Sequence, residues 1–361
     1  MRILFLITNL GSQGGTERVT TLIANKLSAI GHSISIASIE GYEQPVYEID
    51  SRVSIYNMYF SHVSLKKKYI SIVHKTRSFL KKGEYDALVI VNTGLSLIAI
   101  PAAFNLNLKI INWEHFNLYA DVNKGSMFRH FSRWGAALFS DYIVTLTEKD
   151  KSYWISYFGS WLKSNIVNIP NPVSFEELRY SSSEKTKTIL SIGRLNEQKG
   201  FDMLIEAWRS VAEKHPDWIL NIIGDGDEEK NLKNLVKKYD LEKNISIKSF
   251  NPDIEYEYRN AKFYCLSSRY EGLPMVLLEA QSYGIPIISF DCDTGPSDII
   301  EHGYNGFIVK NGDIDQLSFF ILKAIDLNDS DYSIMSFNSA NNSKKYAIAD
   351  VVKLWNNILI D

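Results

Sequence analysis

Two series of alternating β-rich and helical segments constrain the fold of this 361-residue chain more than any other feature. The first series starts with the strand-like "RILFLIT" at 2–8 and ends with "IVNIPNPV" at 166–173. The second starts with "TILSIGRL" at 188–195 and ends with "GFIVK" at 306–310. Strands that alternate with helices predict parallel sheets covered by helices on both faces, so the chain is predicted to be an α/β protein.

The tripeptide "PNP" at 170–172 separates the two series. Proline can continue neither a helix nor a central strand, so this tripeptide is predicted to be a linker. The chain also exceeds the roughly 250–300 residues at which a single core stops growing. We therefore predict two Rossmann-like domains that face each other across a cleft, an N-terminal one over 1–172 and a C-terminal one over 173–343.

The composition is that of a soluble globular protein, with 45% apolar and 22% charged residues. Its 39 basic and 42 acidic residues leave a net charge of −3, which argues against nucleic acid as a partner. The two cysteines, Cys265 and Cys292, are too few for a disulfide framework or a cysteine-rich zinc site, and they favour a reducing compartment.

The N-terminal apolar run is short and is followed by polar turn formers, which indicates a buried first strand and not a signal peptide. No apolar segment approaches the roughly 20 residues that a membrane span requires. The sequence therefore predicts a cytoplasmic protein.

One segment departs from the overall charge balance. "SLKKKYISIVHKTRSFLKKG" at 64–83 contains seven Lys and Arg residues and no acidic residue. Its apolar residues recur at helical spacing, which predicts a basic amphipathic helix. Two interpretations stay open: a solvated helix face packed on a core, or a surface that docks on an anionic membrane.

Open α/β sheets bind ligands beyond the carboxyl ends of their strands, so the loops that follow the strands are the candidate sites. After the first strand, Gly14 and Gly15 precede a helix, where backbone N–H groups could approach a phosphate. A plain tight turn explains the same pair of glycines. The spacing is not G-x-G-x-x-G, and no acidic residue ends the second strand, which argues against a dinucleotide oxidoreductase.

The loop "GRLNEQKGFD" follows the first strand of the second series. It places Arg194 and Lys199 five positions apart before a helix. An arginine fork and a compact lysine charge would suit a diphosphate, although a solvated basic loop is the simpler interpretation of the segment alone.

Two acidic pairs could suggest a metal: Asp225 with Asp227, and Asp291 with Asp293. Two carboxylates make an incomplete divalent site, and both segments are also typical of turns and helix caps. We predict no bound metal.

The segment "CLSSRYEGLPMVLLEA" at 265–280 is predicted to be a strand, a turn and a helix. The N–H groups of Leu273 and Met275 would lie at the positive end of that helix, where an anion fits. Glu271 lies on the loop and Glu279 in the helix. A carboxylate with two free oxygens is a good acceptor for a vicinal diol. Either glutamate alone would more simply be solvated.

Together, "GGTER", "WEH", "SIGRLNEQKG", "GDG" and "SSRYEGLPMVLLEA" resemble the GT4 family of glycosyltransferases, which have the GT-B fold. The resemblance covers nearly the whole chain and is strongest over 187–310. Glu271 and Glu279 match the E-x7-E element of the family. The resemblance implies retaining sugar transfer from a nucleotide donor, with no metal and no cofactor besides the nucleotide-sugar co-substrate. It also implies that the final helix, within 344–361, crosses back onto the N-terminal domain.

The family pattern implies a role for each matching residue. Arg194 and Lys199 would neutralise the leaving diphosphate, Glu279 would hold the ribose, and Glu271 would contact the donor sugar. The implied catalytic residues are Arg194, Lys199, Glu271 and His115, and the implied donor-binding residues are Gly14, Gly15, Gly224, Phe250, Gly272, Leu273, Met275 and Glu279.

The loop "DCDTGPSDII" at 291–300 resembles that of family members that use UDP-linked galactose or N-acetylhexosamines. The implied reaction transfers a hexose or N-acetylhexosamine from a UDP-sugar to a glycan or lipid-linked glycan in surface polysaccharide biosynthesis, at the inner face of the membrane. Two alternatives stay open. A sugar-nucleotide epimerase of the same fold would need no acceptor, and a catalytically idle UDP-sugar-binding protein would release no UDP.

Overall fold

The computed structural model describes residues 1–12, 14–41, 44–119, 127–174, 185–251 and 254–361. The chain forms two compact units. The first unit contains Met1–Asn171 and Ile348–Asp361, and the second contains Pro172–Ala347.

The first unit is built on a parallel sheet. Its strands are β1 (Arg2–Asn9), β2 (Ser33–Glu40), β3 (Ser54–Tyr59), β4 (Ala87–Val91), β5 (Lys109–Trp113), β6 (Tyr142–Thr145) and β7 (Asn165–Asn168). The helices are α1 (Gly15–Ala29), α2 (Tyr69–Gly83), α3 (Ser96–Ala103), α4 (Met127–Phe139) and α5 (Glu148–Phe158). The seven strands lie in the order β3-β2-β1-β4-β5-β6-β7, which brings β1 and β4 together at the centre. β4, "ALVIV", is buried along its whole length, as a central strand covered on both faces requires.

The expectation that no acidic residue ends the second strand is wrong, because β2 ends at Glu40.

Strand β3 has no counterpart in the sequence-based prediction. β3 is an edge strand that pairs only with β2 in the sheet order. Its first four residues are exposed, so it lacks the apolar pattern by which a buried strand is recognised.

The second unit repeats the architecture with six parallel strands. They are β8 (Thr186–Ile192), β9 (Ile219–Ile223), β10 (Ile245–Lys248), β11 (Ala261–Leu266), β12 (Ile287–Asp291) and β13 (Gly306–Lys310). The helices are α6 (Phe201–Lys214), α7 (Glu229–Lys238), α8 (Glu255–Asn260), α9 (Met275–Ser282), α10 (Pro296–Ile299), α11 (Ile314–Ile325) and α12 (Asp329–Ser343). The strand order is β10-β9-β8-β11-β12-β13, so the loops after β8 and β11 are neighbours.

The C-terminal helix begins later than the sequence predicts. The apolar spacing predicts one helix over 344–359, but a 3-10 turn covers Lys344–Tyr346, and α13 spans Ile348–Ile360. The Tyr346 carbonyl accepts a hydrogen bond from Val173 N–H (2.8 Å) inside the second unit. α13 instead packs against α1, and Lys109 Nζ of the first unit donates to the Ile358 and Leu359 carbonyls at its end.

The basic segment is also shorter as a helix than predicted, because α2 begins at Tyr69 and not at 64. Ile72 and Leu80 are buried in the core of the first unit, as the apolar spacing predicts. The three exposed lysines at 66–68 precede the helix. Across the described ranges, no helix combines the length and the apolar character that crossing a membrane requires.

Candidate active site

In the second unit, the carboxyl ends of β8 and β9 approach each other closely, because a glycine follows each strand. Gly193 N–H, just after β8, donates to the Ile223 carbonyl at 3.0 Å. Gly224 follows β9 with a φ of 154°, and a Cβ there would lie 1.9 Å from the Gly193 carbonyl oxygen. Any larger residue at Gly224 would therefore separate the strand ends and displace Arg194, which follows Gly193.

Arg194 is exposed at the carboxyl end of β8. Within the described part of the chain, no hydrogen bond or ion pair engages its guanidinium group. An arginine fork with five unengaged donors can bind an anion at this edge of the sheet.

Lys199 forms a mostly buried ion pair with Glu271. The distance from Lys199 Nζ to Glu271 Oε1 is 2.6 Å, and the two side chains are only 17% and 9% exposed. Ser268 Oγ donates to the same carboxylate oxygen at 2.7 Å. A Cβ on Gly193 would lie 3.1 Å from Lys199 Cδ, so the bare glycine leaves room for the lysine stem. The fold thus joins a cation and a carboxylate from two predicted loops.

Glu279 is 2% exposed, and both of its carboxylate oxygens already accept hydrogen bonds. Ser174 Oγ donates to Oε1 at 2.8 Å, and the Tyr258 hydroxyl donates to Oε2 at 2.9 Å. Neither oxygen of Glu279 is therefore free of a hydrogen bond, and the contact of Glu279 with a ribose stays a prediction. Sequence reasoning missed Ser174 and Tyr258, because no motif marks either residue.

The loop before α9 is packed against the loop after β12. Leu273 and Met275 are buried, and α9 begins at Met275. Thr294 Oγ1 donates to the Glu271 carbonyl at 2.9 Å, and a Cβ on Gly295 would lie 2.5 Å from the Gly272 carbonyl oxygen. The "TGPSD" segment therefore directly supports the loop that carries Glu271.

Phe250 follows β10 and is half-buried. Its N–H donates to Asp225 Oδ2 at 3.2 Å, so the Asp225 carboxylate stabilises the turn that follows β10. In the described ranges, no group of three or more His, Cys, Asp or Glu residues is arranged to hold a metal ion.

In the first unit, the two glycines lie at the start of α1. Gly14 is the N-cap residue and Gly15 is the first helical residue. The Glu17 carboxylate lies beside them, because a Cβ on Gly14 would be 2.3 Å from Glu17 Oε2. The negative side chain is favourable at the positive end of the helix.

His115 follows β5 and is 7% exposed. Its ring centroid lies 4.5 Å from that of Trp113, which in turn lies 4.6 Å from that of Trp355 on α13. Burial lowers the pKa of His115 to about 3, so the ring is neutral at physiological pH. Its Nε2 has no hydrogen-bond partner among the described residues. Nε2 of a neutral imidazole can donate or accept one hydrogen bond with a ligand.

The loop that carries His115 is held by a buried charged cluster that sequence reasoning missed. Arg133 Nε lies 3.6 Å from Glu114 Oε2, and Arg133 also donates to the Asn117 carbonyl at 3.0 Å. Leu118 N–H donates to Asp150 Oδ1 at 2.7 Å. Burial, together with the charge of Glu114, raises the pKa of Asp150 to about 8, although Leu118 N–H and Arg133 oppose this shift.

The raised pKa of Asp150 predicts a pH-dependent stability. Unfolded Asp150 would ionise near its ordinary pKa of 3.8, but the folded residue keeps its proton up to about pH 8. Folding therefore takes up a proton between these values, and Asp150 lowers the free energy of unfolding as pH rises, by up to about 1.4 kcal/mol per pH unit. Asp150→Asn should remove this slope in urea unfolding at pH 5, 6.5 and 8. The exposed Asp350→Asn is the matched control, and equal slopes in both variants would contradict the prediction.

Comparison with known proteins decides the family. The family model "Glycosyltransferase Family 4" matches residues 13–177, and "Glycosyl transferases group 1" matches 175–348. An uncharacterized glycosyltransferase of Haemophilus influenzae is 38% identical over 99% of both chains. The chain belongs to glycosyltransferase family 4. The amylovoran biosynthesis glycosyltransferase AmsD of Erwinia amylovora is 31% identical to this family 4 glycosyltransferase, again over 99% of both chains.

The fold of this glycosyltransferase is also shared with a solved structure. TarM of S. aureus, in complex with fondaparinux, alpha-GlcNAc-glycerol and UDP, has a TM-score of 0.83 over 100% of both chains at 16% identity. The predicted fold class, two Rossmann-like domains of the GT-B type, is confirmed.

The predicted site residues of this glycosyltransferase all follow parallel strands, in two groups. In the second unit, they lie on the loops after β8, β9, β10 and β11 and in α9, with Met275 at its start and Glu279 in its second half. In the first unit, Gly14 and Gly15 follow β1, and His115 follows β5. Their roles toward a donor stay predictions.

Proposed function

We propose that this protein is a retaining, metal-independent glycosyltransferase that moves a hexose or N-acetylhexosamine from a UDP-sugar to a glycan or lipid-linked glycan acceptor. The observation that carries the proposal is the Lys199–Glu271 ion pair of 2.6 Å, on the same loops as the unengaged Arg194 and the start of α9. Cations and helix amides are suited to a diphosphate, and buried carboxylates are suited to sugar hydroxyls.

In the proposed reaction, the bond between the anomeric carbon and the β-phosphate oxygen breaks, and negative charge develops on that oxygen. Arg194, Lys199 and the N–H groups at the start of α9 stabilise this charge more strongly than they stabilise the intact donor. The acceptor hydroxyl attacks from the face that the phosphate leaves, and its proton passes to the departing phosphate. The products are the glycoside, with retained configuration, and UDP.

The choice of UDP rests on the "TGPSD" loop and on similar proteins. This loop contacts the Glu271 and Gly272 carbonyls, so it lies beside the residue that is proposed to contact the donor sugar. The TarM complex contains UDP and alpha-GlcNAc-glycerol, and AmsD acts in amylovoran biosynthesis. The TarM complex supports a UDP-sugar donor, and AmsD supports a role in polysaccharide biosynthesis. The proposed reaction takes place at the cytoplasmic face of the membrane.

A UDP-release screen tests this proposal. The purified protein is incubated with a panel of UDP- and GDP-linked sugars, with and without bacterial lipid-linked glycans, while released nucleotide and converted sugar are measured. We expect UDP release from one hexose or N-acetylhexosamine donor, with slow hydrolysis when no acceptor is present. Conversion of the sugar with no nucleotide release would indicate an epimerase instead. If the protein bound a nucleotide sugar but neither released nucleotide nor converted the sugar, across an acceptor panel that includes lipid extracts, the transferase proposal would be contradicted.

A lipid-linked acceptor would require the protein to work at a membrane surface. The exposed lysines 66–68 lie directly before α2, next to Ile70, which is 71% exposed. Two other basic residues of the segment are engaged within the chain: Lys75 donates to the Met58 carbonyl, and Arg77 donates to the Ala102 carbonyl. These contacts favour a membrane contact at the turn before α2 over one along the whole of 64–83.

Charge reversal of the three lysines tests this contact. Each exposed basic residue contributes about 1 kcal/mol near an anionic surface, so Lys66→Glu, Lys67→Glu and Lys68→Glu together should weaken vesicle binding by about 10²-fold or more. Co-sedimentation with phosphatidylglycerol-containing vesicles at low salt measures this. The control is the triple reversal of exposed lysines of the second unit, Lys237, Lys238 and Lys243. If both triple variants lost vesicle binding equally, the loss would come from net charge and not from a specific contact of lysines 66–68.

A further inference from the structure

We propose that Arg269 is a positioning residue that fixes the loop of Arg194 and Lys199 against the loop of Glu271. This inference rests on the proposed function, because it assigns Arg269 to the same reaction. The loop after β8 supplies the cations, and the loop after β11 supplies the carboxylate. Their relative placement must therefore be held before a donor binds.

The side chain of Arg269 joins the two loops. Its guanidinium forms a bidentate pair with Asp202 at the start of α6, with distances of 2.9 Å to Oδ1 and 2.7 Å to Oδ2. The same group donates to the Glu197 carbonyl at 2.6 Å, two residues before Lys199. The planar fork of arginine makes these three bonds from two nitrogens, a bidentate geometry that the single ammonium nitrogen of lysine does not reproduce.

Further hydrogen bonds join the two loops on both sides of Arg269. Its N–H donates to the Gln198 carbonyl at 2.8 Å, and Gln198 Nε2 donates to the Tyr270 carbonyl at 3.0 Å. Ser267 Oγ donates to the Lys199 carbonyl at 2.9 Å. Ser267, Arg269 and Tyr270 thus pair with three consecutive residues of the cation loop, 197–199.

The close approach of the two loops also depends on Gly200. Its φ is 63°, and a Cβ there would lie 2.1 Å from the Ser267 carbonyl oxygen. The backbone next to Lys199 is therefore packed directly against the loop that ends at Glu271. Without the Arg269 side chain, the charged contact between the loops would fall to the Lys199–Glu271 pair, and a bound diphosphate competes for Lys199. The clamp keeps the cation loop in place when the donor weakens that pair.

Arg269→Ala, Arg269→Lys and Asp202→Asn test the clamp, with Arg259→Ala as control. Arg259 pairs with Glu255 on the surface of α8, in the same unit. We expect Arg269→Ala to lower kcat at saturating donor by at least about tenfold, because small displacements of positioned groups cost up to 10² in rate. Arg269→Lys should recover part of the loss. The double variant Arg269→Ala/Asp202→Asn should have a kcat within about twofold of that of Arg269→Ala, because both residues act through one clamp.

Amide hydrogen exchange on the full chain separates this proposal from the proposed function. In Arg269→Ala, exchange across 196–200 should rise at least about fivefold, and it should stay unchanged in Arg259→Ala. Wild-type kcat in Arg269→Ala, or additive losses in the double variant, would overturn the positioning role even if the protein transfers sugar. If the wild-type protein transfers none, increased exchange confined to 196–200 would still show the clamp, and unchanged exchange would overturn it.

Discussion

Arg194→Ala and Lys199→Ala should each lower kcat/KM for sugar transfer by about 10²–10³-fold, because each removes a charge that stabilises the leaving diphosphate. Initial rates of UDP release at a fixed acceptor concentration measure the loss. The two variants should differ in stability. Arg194 is exposed and unengaged within the described chain, so its removal should leave the melting temperature unchanged. Removal of Lys199 takes away the cation that faces buried Glu271 and should lower the free energy of unfolding by about 2–4 kcal/mol.

Lys187→Ala is the matched control for these two variants. Lys187 lies on the same strand, β8, but near its amino end, where it pairs with Asp217 on the surface. Its replacement should change neither rate nor stability measurably, because exposed ion pairs contribute little. Near-normal turnover in Arg194→Ala would remove that residue from the proposed diphosphate site.

Glu271→Gln should lower kcat by about 10²-fold while the fold is kept. Glutamine has the same shape, and it can still accept from Ser268 and contact sugar hydroxyls. However, it lacks the negative charge that orients Lys199 across 2.6 Å. The measurement is a comparison of kcat and KM for the donor, together with calorimetric affinity for UDP.

Glu279→Gln is the control variant for Glu271→Gln. Glu279 is proposed to hold the ribose, so its amide variant should mainly raise KM and weaken UDP binding. If both amide variants changed only KM, the proposed contact of Glu271 with the reacting sugar would be contradicted.

Much of the fold can be predicted from the sequence, because apolar periodicity marks the buried elements. The predicted strand "RILFLIT" at 2–8 lies within β1, whose residues Ile3–Leu6 are fully buried. β3 could not be predicted in this way, since an edge strand with exposed residues has no apolar pattern. The sequence predicts too early a start for α2, because the three lysines at 66–68 extend the charge pattern but not the helix.

The candidate site could be predicted only as separate loops. Glycines, cations and glutamates after strands indicate where a ligand binds, but the pairs they form depend on strand order. Lys199 and Glu271 are 72 positions apart and meet because β8 pairs with β11. Ser174 and Glu279 are 105 positions apart. Because serine and tyrosine occur in many surroundings, neither Ser174 nor Tyr258 could be recognised before the tertiary structure.

A crystal structure with an intact UDP-sugar analogue tests the central claim most directly. We expect diphosphate oxygens within about 3.2 Å of the terminal nitrogens of Arg194 and Lys199, with the ribose hydroxyls on Glu279. Such a complex would also show whether Lys199 leaves Glu271 when the donor binds. A donor bound elsewhere on the protein, or one whose diphosphate touches neither cation, would contradict the assignment of these loops to donor binding.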